Sequence, residues 1–150
     1  MFYWIRYIIF WAIWWKFADK KRWRELFSVA IFAALLGTLT DHLFHDYYKL
    51  WSYVGQPPVI KEILNDIGIY VVVTYLFIQW LPQERGFLEK FLYFFFWTLV
   101  SIFIEWFHLA VGKIEHHQWW NLWYSYLADW LLLWIFYKIH QVFRYERLSE

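Results

Sequence analysis

Five long apolar runs, separated only by short polar connections, leave this chain few ways to fold. They are Phe2 to about Phe17, Leu26 to about Phe44, about Ile63 to Leu81, Phe91 to about Val111, and about Trp120 to Ile139. A helix needs about 20 apolar residues, within a range of about 17–25, to cross the hydrocarbon core of a bilayer. The last four runs meet that length. The first is short and carries Arg6 near its start, a place from which a long side chain snorkels to the headgroups. The runs are continuous and do not alternate, which argues against barrel strands. The predicted fold class is therefore all-α, an integral membrane bundle of about five transmembrane helices forming a single domain over residues 1–150.

Composition supports lipid as the solvent. Hydrophobic residues make up 62% of the 150 residues and aromatics 28%, against about 45–50% apolar residues in a soluble domain. A soluble fold of this size exposes too much surface to hide so many large side chains. The net charge is only +1, and no basic stripe is interleaved with stacking aromatics in a polar context. Nucleic acid is not an expected partner. The chain has no cysteine, which removes disulfides, thiolate metal sites and cysteine nucleophiles.

The connections are polar and short. Lys16–Glu25 is strongly charged, 46–62 holds Gly55 and the helix-breaking Pro57–Pro58 pair, and Pro82–Lys90 is a compact turn. Gly112 to about Trp119 contains His116 and His117, which read most simply as a solvated pair. The basic cluster at Lys16–Arg24 follows the first run instead of preceding it, and no small-residue cleavage site is visible. A retained helix is expected there, not a signal peptide.

Basic residues set the orientation. Ten Lys and Arg fall in the connections after the first and third runs and in the tail, and four (Arg6, Lys49, Lys61, Lys113) fall on the other side. The positive-inside rule then places the N-terminus outside and the C-terminus in the cytoplasm of a cell membrane. Tryptophan pairs near the run ends, Trp14–Trp15 and Trp119–Trp120, match the headgroup preference of the indole.

Charged groups at membrane depth are costly and ask for a reason. Asp41, His42, His45 and Asp46 close the second run, Asn65 and Asp66 open the third, Glu105 and His108 lie late in the fourth, and Asp129 lies within the fifth. Under the topology above, all fall in the outer half. Glu105 lies roughly 10 Å deep, counted from Gly112, and Asp129 about 14 Å deep, counted from Trp120. Asp41 with His45, and Glu105 with His108, have spacings that share a helical face. Glu-x-x-His recurs in di-iron bundles, and zinc accepts the same donors. Asp41, His45, Asp66, Glu105, His108 and Asp129 are thus the candidate ligands for a divalent metal. The plainer reading is a hydrogen-bonded polar network that holds helices together. Ala33, Ala34 and Gly37 give the second run a small-residue face suited to close helix packing or to a homodimer.

The runs Arg24–Phe44 and Ile104–Leu132, with Trp51–Tyr53, Gly55 and Pro57–Pro58 between them, resemble a group of small multi-pass membrane proteins of Bacillus, Clostridium and related spore formers. The acidic residue closing the second helix of that group matches Asp41, and the late glutamate of its fourth matches Glu105. The resemblance implies a membrane location and a bacterial source. It implies no activity, since the group has none assigned. The leading expectation is a non-enzymatic membrane protein, structural or accessory, whose partners are the lipid bilayer and other membrane helices, its own copies included. A small enzyme or metal-binding protein with its site in the outer half is the second reading, and a proton- or ion-coupled carrier the third.

Overall fold

A computed structural model describes residues 1–55, 60 and 63–149, with the side chain of Asp66 outside the described set. The chain is mostly helical. In order it forms α1 (Phe2–Phe17), a short 3-10 turn (Lys20–Arg22), α2 (Trp23–Thr40) running into a π-helical segment (Asp41–Tyr47), strand β1 (Trp51–Tyr53), and a second π-helical segment (Ile63–Tyr70). This continues as α3 (Val71–Gln79), then α4 (Phe87–Ala110), strand β2 (Ile114–His116), α5 (Leu122–Val142) and a 3-10 turn (Tyr145–Ser149). The expected helix break at Pro57–Pro58 lies outside the described residues. Contacts gather into two compact units. The first holds Met1–Leu39, Gln56–Trp80 and Ile135–Glu150; the second holds Thr40–Gly55 and Leu81–Trp134.

The first unit is centred on α3, in which Val71, Val72 and the stretch from Thr74 to Ile78 are buried. A helix apolar on every side has no face to give to water and goes to the centre. Around it lie Leu26, Val29, Ala30 and Ala33 of α2. Trp14, Phe27 and Tyr75 form a triangle of rings with centroids 5.1–5.6 Å apart. Such contacts are worth about 0.5–1.5 kcal/mol per pair beyond burial. Gln79 closes the end of α1: its Nε2 donates to the Phe17 carbonyl at 2.9 Å and its Oε1 accepts from the Asp19 amide at 2.7 Å. Helix ends leave carbonyls unpaired, and this side chain takes one of them. Arg6 does not snorkel. It is buried, donates to Asn65 Oδ1 and stands 5.2 Å from the Tyr3 ring centroid.

The small-residue face of α2 packs as its spacing predicts. A Cβ added at Gly37 would stand 2.9 Å from Tyr70 Cδ2, and one at Gly68 would stand 2.6 Å from Tyr7 Cδ2. Large side chains of α2 point away: Ile31, Leu35 and Leu39, four apart in sequence, are exposed.

The second unit contains a ribbon that periodicity did not suggest. β1 and β2 pair antiparallel, with Trp51 opposite His116, Ser52 opposite Glu115 and Tyr53 opposite Ile114. Gly112, at φ 65°, ends α4 in the left-handed conformation that glycine adopts without strain. Leu50 is buried, donating its amide to the Phe44 carbonyl and accepting from the His117 amide. Phe44, Trp51 and Trp120 stack with centroids 5.1–6.3 Å apart. Asn121 caps α5, its Oδ1 accepting from the Trp123 amide at 2.9 Å. On α4 only Phe94, Thr98 and His108 are buried. Phe96 is 60% exposed, Phe103 63%, and Leu88, Val100 and Trp106 are exposed as well. Among the described residues, two helices are long and apolar enough to cross a membrane, 20–47 and 87–110.

Candidate functional site

Three polar centres occur among the described residues, two in the second unit and one in the first. The first centre is built on Glu105. α4 turns its half-buried carboxylate to the stripe that also carries Thr98 and His108. Its Oε1 accepts from His116 Nε2 at 2.7 Å and from the Ser125 hydroxyl at 2.7 Å. Ser125 in turn accepts from the Trp120 indole at 3.0 Å. A charged acceptor with two donors is about twice as strongly bound as a neutral one. Asp129 lies one helical turn beyond Ser125 on α5. His108 shares the stripe with Glu105 but not its hydrogen bonds: its Nδ1 meets the Ile104 carbonyl at 2.5 Å.

The second centre surrounds Asp46. Its Oδ1 accepts from His45 Nδ1 at 2.5 Å and its Oδ2 from His42 Nδ1 at 3.1 Å. Asp41 is buried in the π-helical segment, and His45 turns to Asp46 and stacks on Tyr53 at 5.4 Å. The Tyr48 amide reaches back five residues to the Leu43 carbonyl, and this wider turn displaces the register that a regular α-helix would give. Beside Asp46 opens a cavity of about 530 Å³ lined by His45, Asp46, Lys49, Trp51, Ser52, His117 and Gln118. Ser52 Oγ and His117 Nε2 share a 2.7 Å hydrogen bond. Gln118 Nε2 donates to the Tyr48 carbonyl at 2.7 Å.

The third centre lies in the first unit. Glu25 is 1% exposed and His140 2%. Glu25 Oε1 accepts from His140 Nε2 at 2.8 Å and from Arg22 Nη2 at 2.5 Å, and Oε2 accepts from Arg22 Nε at 2.9 Å. The two bonds from arginine form a bidentate fork, the strongest arrangement for this pair.

Of the six candidate ligands, Glu105 is hydrogen-bonded to Ser125, which lies one helical turn before Asp129 on α5. His45 contacts Asp46 and His108 the Ile104 carbonyl, Asp41 is buried, and the side chain of Asp66 lies outside the described residues. Among the described residues, no three His, Asp or Glu side chains gather as a metal ion would require. Sequence reasoning missed His116, Ser125, Glu25 and His140. The His116–His117 pair, read as solvated, is instead divided between Glu105 and Ser52. One signal was available: Ser125 and Asp129 are four apart and share a face of α5, in the stretch before Lys138 that is mostly apolar. No family model, no curated protein and no solved structure matches the chain.

Proposed function

We propose that this chain is a multi-pass integral membrane protein of five spans, N-terminus outside and C-terminus cytoplasmic, that serves as a structural or accessory component through helix contacts. The observation that carries the reading is the distribution of side chains on α4. Thr98, Glu105 and His108 form its inward stripe, while Phe96, Leu99, Val100, Phe103 and Trp106 face outward. A helix in water is arranged the other way round. α2 repeats the pattern, with Ala30, Ala33 and Gly37 inward and Ile31, Leu35 and Leu39 outward. Small residues at the contact and large ones toward the acyl chains are the packing rule of membrane helices.

The structural role follows from how the polar groups are used. Glu105, Asp46 and Glu25 each accept two or more side-chain hydrogen bonds within their own unit. Carboxylates held in this way fix side chains in place, and Glu25, which is fully buried, stabilises the packing around it. Membership of the spore-former group of small multi-pass proteins belongs to the same proposal. The partners are lipid and other membrane helices, a second copy included. Alkaline carbonate extraction of membranes containing the protein tests the reading. The chain is expected to stay with the lipid and to need detergent for release. Recovery of folded protein in the aqueous fraction would overturn it.

A further inference from the structure

The cavity beside Asp46 is not used by the packing just described, and its wall has a definite chemistry. A volume of about 530 Å³ lies within the roughly 300–1,000 Å³ usual for small-molecule sites. Asp46 and Lys49, of opposite charge and three residues apart, line the same space with Ser52, His117 and the Trp51 ring. His42 and His45 hold one oxygen each of Asp46. These contacts orient the group, and nearly half of its side chain, 46%, is exposed where it lines the cavity. Trp51 is held against Phe44 and Trp120 and forms a stiff aromatic wall.

A simple anion entering here meets Asp46, and a simple cation meets Lys49. A ligand with one charge of each sign meets a partner at both ends, and like-charge juxtaposition rejects the rest. An ammonium is further favoured by an aromatic face, and lysine is a common point-charge partner for phosphate. The position adds a second argument. The cavity belongs to the same unit as α4, and His117 and Gln118 follow β2 within a few residues of the end of that apolar helix.

We propose that this cavity binds a phosphate–ethanolamine group, with its phosphate against Lys49 and Ser52 and its ammonium against Asp46 and the Trp51 ring. Two sources carry that chemistry, the headgroup of a zwitterionic phospholipid and free phosphoethanolamine. The lipid source rests on the membrane reading above; the recognition of the group does not.

The test is calorimetric titration of the purified full chain in non-ionic detergent. The probes are short-chain phosphatidylethanolamine, short-chain phosphatidylglycerol and free phosphoethanolamine. The ethanolamine lipid is expected to bind at least tenfold more tightly than the glycerol lipid. Lys49→Gln and Asp46→Asn are each expected to weaken it about tenfold. Lys49 is exposed and outside the helices, so Lys49→Gln keeps the test decisive even where Asp46→Asn disturbs folding. Binding of the lipid without free phosphoethanolamine supports the lipid source, and binding of both supports the free group as a ligand. Equal affinity for the two lipids, or an unchanged affinity in Lys49→Gln, overturns the proposal. A chain released by carbonate yet still binding phosphoethanolamine would separate failure of the membrane reading from failure of this one.

Discussion

Glu25 is a carboxylate in the most charged connection of the sequence, and it is nonetheless buried. Its partners explain this: Arg22 is close in sequence and His140 is distant, and together they surround the group with donors. Removing one member of a buried pair leaves the others desolvated and uncompensated, at a cost of about 3–5 kcal/mol. Arg22 is partly exposed, so the lower end of that range applies. Glu25→Ala should therefore destabilise the protein by about 3 kcal/mol, read as a lower Tm in detergent, while exposed Lys138→Ala should change stability by less than about 0.5 kcal/mol. Glu105 gives a finer contrast. Glu105→Gln keeps one carbonyl oxygen for His116 and Ser125 and should preserve both helical content and Tm closely. Glu105→Leu leaves both donors unpaired and should cost about 1–3 kcal/mol; equal melting of the two variants would remove the network role. Spacing identified Glu105 and Asp129 as residues in need of a reason. It could not identify His116 or His140, because helical periodicity reports which residues share a face and says nothing about which face comes opposite.

At the scale of elements, the apolar runs fixed lengths well: α1 begins and ends where its run does, and α4 and α5 lie within a few residues of theirs. What they could not show was the winding. Hydrophobic content is the same whether a turn closes on the fourth or the fifth residue, so the π-helical segments at Asp41–Tyr47 and Ile63–Tyr70 were invisible. The ribbon was hidden for a related reason. Its strands, Trp51–Tyr53 and Ile114–His116, are too short to show alternation. The small-residue face of α2 was legible, and at Gly37 the approach of Tyr70 leaves no room even for a Cβ. Gly68→Ala should meet Tyr7 and cost about 1–3 kcal/mol through overpacking. Gly37→Ala meets Tyr70 less closely, and the gain of about 0.5–1 kcal/mol from replacing a helical glycine opposes the clash. Thermal melts should therefore rank Gly68→Ala below Gly37→Ala, and the reverse order would show that these approaches are not what sets the packing.

For the whole molecule, the five-span proposal makes a claim about alternation that each connection tests separately. Among the described residues two helices have the length and apolarity to span, and with those two alone the segment between them, from Tyr48 to Gly86, would lie on one side. The proposal places α3 across the bilayer as well, which puts Tyr47 and Glu84 on opposite sides. Because the chain has no cysteine, single substitutions report position without background. Tyr47→Cys and Glu115→Cys should react in intact cells with a maleimide that cannot cross the membrane. Lys20→Cys, Glu84→Cys and Glu146→Cys should react only after permeabilisation. The comparison of Tyr47 with Glu84 examines the third span, and that of Glu115 with Glu146 the fifth. Phe2→Cys against Lys20→Cys examines α1, the helix that buries an arginine. If α1 lies along the surface instead of crossing, Phe2 and Lys20 will share a side, and the bundle has four spans with its N-terminus in the cytoplasm. The charge asymmetry favours crossing: Lys16, Lys20, Lys21, Arg22 and Arg24 crowd one end of α1 while Arg6, the basic residue at its other end, is withdrawn from the headgroups onto Asn65.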